Sequence, residues 1–89
     1  MLPARFYDGA PDLAAEVLSP NDRVPFVEQK VWQYFDGGTR PVWLIDPEQR
    51  TVTIRRPDAS AELLEIGATL TGGDVVKGFA CQVSELFDQ

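Results

Sequence analysis

Two side chains stand out as able to do chemistry, because each interrupts an apolar pattern. Glu16 is the only charge in the run Leu13-Ala14-Ala15-Glu16-Val17-Leu18. Lys30 lies on the flank of an apolar helical stripe, one turn from both Phe26 and Tyr34. A carboxylate can ligate a divalent cation, and an ammonium can balance negative charge as it builds on a reacting group. Each residue also has a plain reading: a glutamate near a strand end reaches water or an arginine, and a lysine on a stripe edge extends to solvent. Other chemistries are removed outright. The chain has no histidine and one cysteine, Cys81, which excludes Ser-His and Cys-His nucleophile pairs, imidazole metal ligands, internal disulfides and cysteine-rich zinc sites.

The elements that would position these residues follow from period and punctuation. The run from Leu13 to Leu18, closed by Ser19-Pro20, is short and apolar enough for a buried strand. Side chains alternate along it, so Asp12, Ala14, Glu16 and Leu18 share one face, with small Ala14 leaving room beside Glu16. Asn21 to Pro25 reads as a helix entry, with Pro25 suited to the first turn, and Gly37-Gly38 as its stop. Between them Val27, Val31 and Tyr34 recur at helical spacing, and Phe35 widens the stripe. Pro41 to Asp46 reads as a strand buried on both faces, followed by turn chemistry at Asp46-Pro47-Glu48-Gln49-Arg50. Thr51 to Arg55 alternates as its antiparallel return, and Ala61 to Ile66 forms a further strand after a turn at Pro57 to Ser60. From Gly67 the sequence reads as loop, with a short terminal element around Val83 to Phe87. Residues 1–10 read as an irregular arm.

The predicted order is strand, helix, strand, strand, strand: an α/β mixed sheet in a single domain spanning residues 1–89. A helix joining the first two strands makes them parallel through a right-handed crossover. Eighty-nine residues with 44% hydrophobic and 25% charged side chains fit a small globular domain, or part of a larger one, with a thin core. The formal charge of −6 excludes a protein that coats nucleic acid through its own positive field. No signal-peptide pattern and no membrane-spanning stretch is present, so a reducing cytoplasm is the default. Trp32 and Trp43 read as packing residues, and Arg40, Arg55 and Arg56 as solvated surface.

Three blocks together resemble the Uma family of restriction endonuclease-like proteins, a branch of the PD-(D/E)XK nucleases. They are Ala10-Pro11-Asp12-Leu13-Ala14-Ala15-Glu16-Val17-Leu18-Ser19-Pro20, then Lys30 with Tyr34, then Val42-Trp43-Leu44-Ile45-Asp46-Pro47. The resemblance continues through Gly67-Ala68-Thr69-Leu70, Gly78-Phe79 and Val83-Ser84-Glu85-Leu86-Phe87 and so spans nearly the whole chain. It implies a Mg²⁺-dependent endonuclease acting on DNA, with Glu16 as metal ligand and Lys30 as the catalytic lysine. That lysine is displaced to the helix from the position Leu18 occupies here. The ion would lower the pKa of a bound water, and the lysine would orient that water or offset charge.

A second carboxylate is needed, and Asp12 cannot supply it, because four residues along a strand span about 13 Å. The resemblance places that aspartate on an earlier strand. The chain therefore reads as the C-terminal half of such a fold, with an incomplete core and no activity alone. The alternatives are a non-catalytic protein-interaction module and a decayed remnant of such a nuclease. With one side of the Glu16 strand bare, association with itself or with a partner chain is expected there.

Overall fold

The computed structural model describes residues 11–87. The arm expected at residues 1–10 lies outside the described residues. The structure contains β1 (Ala14–Val17), α1 (Val24–Asp36), β2 (Val42–Asp46), β3 (Thr51–Arg55), β4 (Ala61–Leu64), β5 (Thr69–Gly72), β6 (Val76–Gln82) and a 3₁₀ turn at Val83–Leu86. The first four strands form one sheet in the order β1-β2-β3-β4, and β5 and β6 form a second, two-stranded sheet. β1 runs parallel to β2, with Glu16 opposite Leu44, and the later pairings are antiparallel. The mixed α/β sheet expected from sequence is present. The residues after Gly67 are not loop, however: Thr69–Gly72 and Val76–Gln82 make a hairpin.

Helix α1 begins with Pro25 in its first turn, where a missing N–H costs nothing. It ends at Gly37-Gly38: the Gly37 N–H bonds back to the carbonyls of Gln33 and Tyr34, and Gly38 takes φ 102, a conformation that disfavours other residues. Arg23 occupies the N-cap without a side-chain cap, since a guanidinium has no acceptor to offer the first-turn N–H groups, while Asp22 accepts the Ser19 N–H at 2.8 Å and shapes the turn before it. The buried stripe of α1, Val31 and Tyr34, packs with Ala14, Val42 and Leu44 into one apolar cluster.

The opposite face of the sheet has its own cluster: Trp43, Val52, Ile54, Leu70 and Val83, flanked by Leu13, Ile45, Leu64 and Phe87. The hairpin and the 3₁₀ turn supply Leu70 and Val83 to it. β2 is thus covered on both sides, which explains its continuous apolar run. The hairpin is tight at its bulged end, between Thr71 and Gly72. A Cβ on Gly72 would run into the carbonyl oxygen and Cβ of Val76, so only glycine fits. The terminal turn is held by a reciprocal cap, in which the Gln82 N–H donates to Glu85 Oε1 at 3.1 Å.

Candidate functional site

Glu16 and α1 meet on the helix face of the sheet. Ala14 and Glu16 point to that face, and small Ala14 lets the helix approach closely enough to be buried beside it. Lys30 Nζ lies 3.4 Å from Glu16 Oε1. The Tyr34 hydroxyl donates to the other carboxylate oxygen, Oε2, at 2.9 Å. Lys30 and Tyr34 are four residues apart on one helix, so a strand carboxylate is gripped from two successive turns.

The two grips differ in kind. Tyr34 is buried, and burial first, then the hydrogen bond to Glu16 and its negative charge, push its phenol well above the usual tyrosine range. It stays protonated and donates throughout the neutral range. Lys30 has a side chain 54% exposed at a longer distance, which makes a screened and replaceable ion pair. Glu16 itself is 17% exposed, so its Oε1 edge is reachable. A cleft of about 70 Å³ opens there, lined by Glu16, Phe26 and Lys30. It shares Leu18, Asp22, Val27 and Leu44 with a neighbouring groove of about 360 Å³ that Glu28, Asp46 and Glu48 make acidic.

The fit of a divalent metal follows from these donors. Mg²⁺ takes near-octahedral oxygen ligation and in proteins is held by carboxylates together with substrate phosphates and water. Glu16 is one carboxylate, with Oε2 already accepting from Tyr34. Asp46 is occupied locally, its Oδ1 accepting the N–H groups of Glu48 and Gln49 at 3.0 and 3.2 Å. Among the described residues no group of three or more acidic, histidine or cysteine side chains is arranged to hold a metal. Residues 11–87 therefore do not form a Mg²⁺ site by themselves.

Other chemistry-bearing residues have structural duties. Arg55, read from sequence as solvated, is two-pronged on Glu28 at 2.6 and 3.0 Å and half-buried between β3 and α1. That hydrogen bond is the largest cause holding the Glu28 carboxyl below its ordinary range. Arg56 pairs with Glu62 at 3.2 Å on the exposed sheet margin. Trp43 is buried against Phe79, and Trp32 lies edge-on to Phe35 at 5.0 Å, so both tryptophans pack as expected. The Cys81 thiol is raised by burial and then by Glu85, which makes it a poor nucleophile. Sequence reasoning placed Tyr34 in the apolar stripe and beside Lys30 in the family resemblance, but missed its role on Glu16. The available signal was its position one turn after Lys30.

This arrangement, a strand glutamate and a helix lysine over a mixed sheet, sits in a nuclease-like α/β fold. The chain superposes with TM-score 0.77 on a protein from Anabaena variabilis described as "a putative nuclease belonging to DUF820", at 30% sequence identity. The match covers 88% of this chain and 44% of that one, so the chain spans less than half the length of that protein. Residues 2–84 match the model of the Uma2 family, described as "putative restriction endonuclease", and the chain belongs to the Uma2 family. No curated protein matches the sequence. No helix among the described residues is long and apolar enough to cross a membrane.

Proposed function

We propose that the chain is a cytoplasmic nuclease-type domain that engages the phosphodiester backbone of DNA through the Glu16–Lys30 pair. The observation that supports this is the pairing itself: an exposed ammonium is held 3.4 Å from a carboxylate whose far oxygen is fixed by a buried tyrosine. Lys30 is free to leave Oε1 and meet a phosphate oxygen, offsetting its charge. Glu16, held by Tyr34, keeps Oε1 aimed into the cleft as an acceptor that orients a water. Membership of the Uma2 family supports the phosphodiester as substrate class.

A Mg²⁺ ion held by a full donor set would supply an activated water and charge neutralisation. Glu16 would be one of its ligands, with the remaining carboxylates coming from outside residues 11–87. The described residues carry half of a site, and the chain is inactive alone. A plasmid-nicking assay in Mg²⁺ tests this. The expected product level equals that of Mg²⁺ without protein. Nicking above that level, abolished by Glu16→Gln, would contradict the half-site account.

A further inference from the structure

The hairpin leaves a groove of about 450 Å³ against the sheet, on the face away from Glu16. Its floor is Trp43, Ile54 and Leu64, and its wall is β5 with Thr69 and Thr71. The lining comes from β2 to β5 and the segments beside them, and none of it from β1, so the strand that carries Glu16 plays no part. The wall is an unpaired strand edge. The Val83 N–H bonds to the Ala68 carbonyl at 3.0 Å and Leu70 pairs with Cys81, so Ala68 and Leu70 turn their backbone groups toward β6. Thr69 and Thr71 therefore turn theirs the other way, and no described residue bonds them. Because β6 contributes nothing to the groove, this edge of β5 is the one that borders it. The ladder stops at Gly72, whose carbonyl accepts the Val75 N–H at 3.1 Å.

The rim narrows the choice of ligand. Arg56 is held by Glu62 at 3.2 Å, whereas Arg40 is exposed and pairs with no described residue. Asp58 and Asp74 also border the groove, so carboxylates outnumber cations there, which disfavours a phosphodiester backbone. A phosphate only accepts hydrogen bonds and would leave the Thr69 and Thr71 carbonyls unanswered. A peptide strand offers donors and acceptors alike, repeating every second residue at about 7 Å, as these two threonines do.

We propose that the groove binds an extended peptide segment of another protein, which adds to β5 as a third strand. Two of its residues exchange hydrogen bonds with Thr69 and Thr71. The residue between them lies opposite Leu70 and shares its face, the one packed with Trp43 and Ile54, so an apolar side chain there rests on the groove floor. The next residue on that face, two positions along, brings a carboxylate to Arg40.

The probe is the peptide acetyl-Glu-Thr-Val-Thr-Glu-amide, whose glutamate at each end serves either strand direction. It is titrated into the full labelled chain, with amide shifts and the Trp43 indole N–H as the readout. Shifts gather at Thr69, Leu70, Thr71 and Trp43 and leave Glu16 and Lys30 still. Methylating both threonine nitrogens of the peptide raises its dissociation constant at least about tenfold, through two lost hydrogen bonds. Arg40→Gln weakens the glutamate peptide about fivefold and leaves a peptide with glutamine at both ends unchanged. No binding at millimolar peptide would overturn the proposal, and a groove already filled by the chain itself would read that way. So would binding indifferent to methylation or to Arg40→Gln, or the same shifts produced by inorganic phosphate alone. The face tested is opposite the one proposed to meet DNA, so failure here leaves that reading standing.

Discussion

The two faces of the four-stranded sheet divide the work of the molecule. The helix face has a small cluster of Ala14, Val31, Tyr34, Val42 and Leu44, and two ion pairs tie its helix to the sheet: Lys30 to Glu16 and Glu28 to Arg55. The hairpin face is apolar, with Trp43, Val52, Ile54, Leu70 and Val83 buried together and no ion pair joining the hairpin to the sheet among the described residues. Stability is concentrated where burial is complete, and the residues proposed to do chemistry lie where one short helix leaves a strand partly open. Leu63, exposed on the helix side of β4, shows how little of that face α1 covers. A site needs reachable charge, which a dry interior penalises.

If that division is right, the largest loss of stability comes from the face without charges. Leu70→Ala, at a side chain with no exposed surface, should cost about 3 kcal/mol in urea unfolding through lost transfer energy and the cavity left behind. Arg55→Ala comes next, at about 1–2 kcal/mol, discounted because Glu28 keeps 43% of its side chain exposed. It should also change the acid limb. The folded Glu28 carboxyl titrates below its unfolded value, so the stability it contributes is complete above the unfolded value of 4.5. That contribution disappears as pH falls through the folded value. The variant should therefore lose less stability than wild type on acidification below pH 4.5, as read by denaturation at successive pH values.

Tyr34→Phe keeps the ring and removes one hydrogen bond, for about 1 kcal/mol. Its signature is alkaline. The folded phenol is raised, so its stabilisation is present below the unfolded value of 10.0 and is lost as pH rises beyond it toward the folded value. The Tyr34→Phe variant, with no phenol to titrate, should lack that alkaline loss. Lys30→Ala should be smallest, within about 0.5 kcal/mol, because its ion pair is exposed. A cost of several kcal/mol there would make the pair structural and erase the contrast between the faces.

Most of the helix face was legible in the sequence. Alternation along Leu13 to Leu18 and the Val27, Val31, Tyr34 stripe bring Glu16 and Lys30 to one side, as the structure does. The Arg55–Glu28 pair was not, since its partners are 27 residues apart and no local spacing marks them. The hairpin was missed for a different reason. Thr69-Leu70-Thr71 does alternate, but β6 is exposed at every position except Cys81 and takes φ 84 at Gly78, so it carries no apolar period. Its place depends on tertiary docking of Leu70 and Val83, which a local pattern does not record.

In the proposed function the helix face is the one that meets DNA. Backbone amide shifts of the labelled chain, titrated with a short DNA duplex at low salt, test this most directly. The competing surface is on the other side, a groove of about 450 Å³ where Arg40, Arg56 and Thr71 offer cations and a hydroxyl. The predicted result is that shifts gather at Glu16, Phe26 and Lys30, weaken in Lys30→Ala, and leave Thr69 to Thr71 unmoved. Shifts gathered at Arg40, Arg56 and Thr71, or shifts at Glu16 that persist unchanged in Lys30→Ala, would contradict it.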